Sequence, residues 1–436
     1  MMKFLMSIFF VIPICFYSSS VMWIQYIFIL LYFFLLMSGC YSFLGKISFH
    51  MGLDSYSYGL ILLSLLICSF MFVSMMKSMW ICFFMFLNVT MLIFLLLIFS
   101  SMSFMYMYIS FEFVLVPLVI LILGWGYQPE RLMAGMYLFF YTMLVSLPLF
   151  IVIMWMYMSL GSLIIDLIKL SSDFFIIHFV LVIVFMVKMP MYFVHFWLPK
   201  AHVQAPVSGS MILAGIMLKI GGYGLIRTMF MCEHMFISYS YIWFVFSLLG
   251  SLYISIICLI QSDIKMMIAY SSISHMGMVI MGLLTMTLWG LTGSYLLMLG
   301  HGFCSSGMFY MSNMFYLRTG SRSFYINKGL ISYMPSCAMF WFLLCSFNMS
   351  CPPSINFVSE LMILSSIMNY WFCSLYFFVG VSFFCASFSY YLYSFIQHGL
   401  YMNFYSFSSV SLVEFLILFV HLVPLVSFPL LLGVFL

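Results

Sequence analysis

Glu112, Lys188, Lys219 and Glu360 stand near the middle of long apolar stretches. Glu112 falls halfway along MSFMYMYISFEFVLVPLVILILG (102–124), and Lys219 lies past the middle of VSGSMILAGIMLKIGGYGLI (207–226). If these stretches lie in lipid, a charge at their centre costs about 2.5–3.5 kcal/mol even on the mildest scale, so such residues persist mainly along an ion or proton path. Two acids and two lysines placed this way point to movement of something charged. His275 in AYSSISHMG and His301 in LGHGFCSSG fall in stretches of the same kind. A lone histidine on an apolar helix is usually a satisfied core residue, but an ordinary pKa of about 6.5 also suits a proton relay. His195 is a lesser candidate, while Asp263 and Lys265 head a helix and read as a solvated cap or surface pair.

The elements that must position these groups follow from composition. Of 436 residues, 67% are hydrophobic, 21% aromatic and 5% charged, against about 25% charged in a soluble domain. No soluble fold hides that much apolar surface. Runs such as LILLSLLICSFMFV (60–73) are apolar on every face, which excludes the alternation of a membrane β-barrel. The fold class is therefore an all-α polytopic membrane protein. Short polar breaks divide it into about fourteen spans: 4–17, 21–44, 57–76, 79–100, 102–124, 132–158, 174–199, 207–231, 240–261, 264–285, 288–317, 335–370, 371–397 and 411–435. No connection is long enough for a soluble domain. The first twenty residues mimic a signal peptide, but another apolar span follows almost at once, so they are read as a retained first helix.

Two spans should be discontinuous. Pro190 follows Lys188 in VKMPMYFVHFWLP, and Pro352 and Pro353 precede Glu360 in NMSCPPSINFVSELM. A proline removes a backbone donor, so each pairs an interruption with an intramembrane charge. Broken helices at matching places in two halves are the pattern of internal repeats in transporters; unrelated proline kinks are the alternative. The net charge of +4 is scattered without a basic block, which argues against nucleic acid as a partner. The twelve cysteines form no CxxC pair, and Cys68, Cys82, Cys258 and Cys373 read as small buried hydrophobes.

The stretch VKMPMYFVHFWLPKAHVQAPVSGSMILAGIMLKIGGYGLIR (187–227) closely resembles the antiporter-like membrane subunits of respiratory complex I, and among them the chain 4 family of mitochondrial NADH–ubiquinone oxidoreductase. GWGYQPERLMAGMYLFFYT, QSDIKMMIAYSSISHMG, HGFCSSGMFYMSN and CPPSINFVSEL follow in the family's order. The forty-five methionines also suit a mitochondrial gene, because many animal mitochondrial codes read an extra codon as methionine. The first hundred and last forty residues match in hydropathy alone.

The resemblance implies about fourteen transmembrane helices with two inverted five-helix repeats, each with a broken helix. On that basis residues 1–78 are N-terminal helices, 79–231 and 240–397 the repeats, and 398–436 a C-terminal helix. It also implies a proton-translocating subunit with no bound cofactor: NADH, FMN, iron–sulfur clusters and ubiquinone belong to partner subunits. Other membrane-arm subunits, including the paralogous chains 2 and 5, and the lipid bilayer with its cardiolipin are the implied partners. Glu112 is placed as the acidic partner of Lys188, Lys219 as the central relay, and His275 and His301 on an axis leading to Glu360. Burial disfavours the charged form of either member of an acid–lysine pair and pairing restores it, so Glu112 and Lys188 would form a switchable donor. Related subunits often carry lysine at the position of Glu360. Two residues depart from the family pattern: Gln204 stands where an acid is common, and Gly320 replaces a frequent histidine.

Lysine and arginine counts set orientation. The side holding Lys77, Arg131, Lys265, Arg318, Arg322 and Lys328, with Lys200 as a further candidate, is richer than that holding Lys3, Lys46, Lys169 and Arg227. That predicts both termini on the intermembrane-space side of the mitochondrial inner membrane. An independent cation/proton antiporter, and a scaffold whose charges only hold a membrane arm together, are the competing functions.

Overall fold

A computed structural model describes residues 2–39, 46–48, 50–76, 78–170, 174–400 and 407–431. Among these, ten helices are long and apolar enough to cross a membrane, and Met2–Phe16, Phe175–Lys188 and Pro335–Asn348 are shorter apolar helices. Each expected span falls on a helix or a pair of half-helices. Lys77 lies outside the described residues, as do the chain ends and the margins of the spans expected at 21–44 and 411–435.

Contacts divide the chain into two units. The first contains residues up to Met189 and Gln204–Tyr241. Here α1 (Met2–Phe9) and α2 (Val21–Ser38) lead to a short antiparallel hairpin, β1 (Lys46–Ser48) and β2 (Met51–Leu53), with Ile47 opposite Gly52. Asp54 and Ser57 then form a reciprocal capping box that starts α3 (Ser55–Ser74), satisfying two orphan donors of its first turn. It is followed by α4 (Ile81–Ser100), α5 (Phe104–Phe113), α6 (Leu115–Trp125), α7 (Arg131–Leu160) and α8 (Phe175–Lys188). The unit closes through α10 (Val207–Ile212), a π turn at Leu213–Met217, and α11 (Leu218–Met231). This last run is buried almost throughout, whereas α7 turns most of its surface outward. Gly221 and Gly224 explain how α11 sits so close to α8. A Cβ at Gly221 would lie 2.8 Å from the Met189 nitrogen, and one at Gly224 would strike the Phe185 ring at 2.1 Å.

The second unit holds Pro190–Val203 and Ile242–Leu431. Its helices include most of α9 (Trp197–Gln204), the greater part of α12 (Glu233–Ile260), α13 (Ile264–Leu284), α14 (Leu288–Thr319), α15 (Pro335–Asn348), α16 (Ile355–Tyr370), α17 (Ser374–Gln397) and α18 (Leu412–Ser427). α14 is the hub, packed on α13, α15, α16 and α18. Gly293 and Gly300, two turns apart on α14, meet α16 with no side chain between. A Cβ at Gly293 would lie 3.1 Å from the Ser359 carbonyl oxygen, and one at Gly300 would overlap Asn356 Oδ1 at 2.1 Å. At Gly320, φ is 69° and the amide bonds Tyr316 O, closing α14 in the left-handed conformation. The departure from histidine there has this backbone reason.

Both expected interruptions are present. α8 stops at Lys188 and helix resumes at Trp197; α15 stops at Asn348 and resumes at Ile355. Two irregularities were not expected. The 102–124 span breaks at Val114 between α5 and α6, where Pro117 has no N–H to offer the Phe113 carbonyl. The π turn lies just before Lys219. Every one of the four intramembrane charges thus sits beside backbone that is not α-helical.

Candidate functional site

In the first unit, Glu112 occupies the last turn of α5, half-buried, with Ser146 of α7 as a hydrogen-bonding neighbour of its carboxylate. Lys188 is buried in the last turn of α8, and its Nζ rests 4.1 Å from the centroid of the Phe111 ring. That ring packs edge-on against Phe185 at 5.9 Å. The two charges act on each other electrostatically but form no direct ion pair. A desolvated cation–π contact of this kind is worth about 2 kcal/mol, so Lys188 is held by a ring next to the acid rather than by the acid itself.

Lys219 is fully buried, and its ammonium donates to the Ala214 carbonyl oxygen at 2.5 Å. A π turn moves carbonyls out of α geometry, and here one of them receives the charge. Further along the same face, Tyr223 donates to Phe99 O at 3.0 Å and accepts from Arg227 Nε at 2.9 Å. Arg227 also pairs with Asp54, the cap of α3. Asp166, in the connection after α7, lies within the field of this pair; burial pushes its carboxyl above the usual range, with Arg227 acting the other way.

In the second unit, His275 on α13, His301 on α14 and Glu360 on α16 come together. His275 Nδ1 lies 4.0 Å from Glu360 Oε1, and the two imidazole centroids are 5.4 Å apart. The Ser350 hydroxyl, from the break between α15 and α16, donates to Glu360 Oε1. Ser350 has φ 60°, a left-handed conformation that costs a non-glycine residue about 1–2 kcal/mol; such strain gathers at working sites. Asn356 spans the break by donating to Phe347 O at 2.9 Å. The arrangement offers two imidazoles and a carboxylate at distances one water molecule can bridge.

Sequence reasoning passed over Ser350, since a serine two residues before a proline pair carries no distinguishing signal. His195 is buried among rings, stacked on Phe196 at 4.5 Å and near Tyr192 and Tyr270. Lys265 corrects an expectation: it is only 1% exposed, not a solvated surface group. Gln204 donates to Glu130 Oε2 at 3.0 Å, so a carboxylate stands at this position although residue 204 is not an acid. The described cysteines are free, and most are buried; Cys82 is only half-buried and Cys373 is exposed at the junction before α17, so these two depart from the expected pattern.

Two family models match. Residues 1–98 match the one described as NADH-ubiquinone oxidoreductase chain 4, amino terminus, and residues 101–389 match NADH:quinone oxidoreductase/Mrp antiporter, TM. The chain is 47% identical to NADH-ubiquinone oxidoreductase chain 4 of Ceratitis capitata, over 98% of this chain and 97% of that one. It is 46% identical to the same chain of Locusta migratoria with the same coverage. Its fold is similar to a chain of respiratory complex I from Thermus thermophilus, with TM-score 0.86, 18% identity and 98% and 96% of the two chains covered. It also resembles a chain of the Mrp complex from Dietzia sp., with TM-score 0.84, 15% identity and 97% and 49% covered.

Proposed function

The chain belongs to the NADH-ubiquinone oxidoreductase chain 4 family, and from that membership we propose that it is the proton-translocating membrane-arm subunit of NADH:ubiquinone oxidoreductase. It lies in the mitochondrial inner membrane as a multi-pass protein, with its termini on the intermembrane-space side. Electron transfer through FMN, iron–sulfur clusters and ubiquinone takes place in partner subunits; this chain answers by moving protons. Paralogous chains 2 and 5 and cardiolipin are its neighbours, and residues 79–231 and 240–397 act as the two repeats.

The observation that carries the reading is the cluster of His275, His301 and Glu360 beside a broken span. Each of the three groups can hold or release a proton, and a strained serine fixes the acid. In the first unit, Glu112 and Lys188 store a proton. Lys188 keeps it while Glu112 is charged and gives it up when Glu112 is neutralised, since the nearby negative charge that favours the ammonium is then lost. Lys219 passes it onward. A scaffold would pair these charges fully, and Lys188 resting on a ring rather than in a direct ion pair with Glu112 argues against one.

The test is Lys219→Ala in the assembled complex, reconstituted in vesicles, with protons moved per NADH oxidised measured beside the parent. Pumping should fall while assembly stays intact, and arginine should not restore it, because a guanidinium is effectively never deprotonated in a protein. Unchanged pumping at full assembly would make the buried lysine structural.

A further inference from the structure

Lys265 stands in the first turn of α13 with 1% of its surface exposed. A lysine buried for stability has an acid or a carbonyl to receive its ammonium. Among the described residues the Lys265 side chain makes no hydrogen bond or ion pair. The neighbouring charge that acts on it is Arg322, another cation. Its place in a first helical turn is one where the helix dipole favours anions.

The segment after α14 is laid against this turn by the backbone. Asp263 bridges to Ser323, the Ile264 amide donates to Arg322 O at 3.1 Å, and the Phe324 amide donates to Ser262 O at 3.1 Å. Arg322 is held in turn, donating through Nη1 to Val203 O at 2.6 Å. Ser272 lies seven residues beyond Lys265, on the same face of α13. Its hydroxyl donates to Ala269 O, which leaves its oxygen able to accept. His275 follows a quarter turn round the helix, ~15 Å from Lys265 along the axis.

We propose that Lys265 is the inlet through which protons reach His275, His301 and Glu360 from the aqueous face beside residues 321–327. The neutral amine takes a proton from water on that face. The resulting ammonium releases it through water past the Ser272 hydroxyl to the His275 imidazole, and Lys265 returns to the amine. Arg322 keeps the site open by repelling a resident cation and by tying the loop to α9. This inference rests on the relay reading of the second unit.

The experiment compares reconstituted complexes carrying Lys265→Gln, Lys265→Arg, Lys265→His and, as a separate control on the relay itself, Lys219→Ala. Protons moved per NADH and NADH oxidation are read across a range of external pH. Loss of a positioned proton carrier slows transfer by roughly 100-fold, so the glutamine variant should lose most of its pumping. Arginine should fail as well, whereas histidine should recover part of it with an altered pH profile. Rescue by arginine, or normal pumping in the glutamine variant, overturns the inlet. Failure of all three variants to assemble also overturns it, since a structural demand then accounts for the lysine. A normal Lys219→Ala control beside a defective Lys265→Gln would instead refute the central relay and leave the inlet standing.

Discussion

Gly300→Ala is the sharpest steric test of the cluster. A Cβ at Gly300 would lie 2.1 Å from Asn356 Oδ1 and 2.4 Å from Ile355 Cγ2, where ordinary contact begins at 3.4 Å. The shortfall is therefore 3.4 − 2.1 = 1.3 Å at the amide and 3.4 − 2.4 = 1.0 Å at the isoleucine. Asn356 is not free to swing aside, because it donates to Phe347 O across the break, and losing that bond costs about 1 kcal/mol. Keeping it pushes α14 away from α16 by roughly an ångström, an overpacking cost of about 1–3 kcal/mol. His301, the next residue, moves with it, and its spacing to His275, which faces Glu360, changes. The expected outcome is a complex that assembles with a lowered melting temperature and moves fewer protons per NADH. Gly124→Ala is the control, since a Cβ there meets nothing within 4 Å; both readouts should match the parent. Gly300→Ala with parental melting and pumping would refute the claim that the α14–α16 spacing sets the relay.

Arg227→Met should strand the buried Asp54 carboxylate and cost about 3–5 kcal/mol, seen as loss of assembled complex on native gels; adding Asp54→Asn should recover part of it. Gln204→Glu should leave protons moved per NADH unchanged, because Glu130 already supplies a carboxylate there. A rise in pumping would show that the missing acid mattered.

Hydropathy and charge were enough to read most of the spans, because a buried charge in an apolar run has few bland explanations. Pro190, Pro352 and Pro353 likewise announced two interruptions by removing donors. The break beside Glu112 escaped notice because Pro117 lies inside an unbroken apolar run, where composition does not change as the backbone does. The π turn before Lys219 has no composition of its own either; it adds a residue to a turn without adding polarity. Lys265 looked solvated because the backbone of 322–324, which pairs with residues 262–264 just before it, lies some sixty residues away in the chain. The Gln204–Glu130 contact joins residues 74 apart in the chain, beyond any local pattern.

The interrupted spans also bear on how the chain enters lipid. α8 and α15 have 14 residues each, ~21 Å of helix against a hydrocarbon layer of ~30 Å. Neither half-helix can cross alone, and the irregular segment that follows each one is tolerated at depth only when protein surrounds it. Insertion one helix at a time therefore stalls at these points. α8 must wait for α11, whose Gly221 and Gly224 receive it, and α15 must wait for the rest of its bundle. The close packing of α8 on α11 thus ties their entry into lipid together, and a chain truncated soon after residue 190 lacks the glycine surface on which α8 packs.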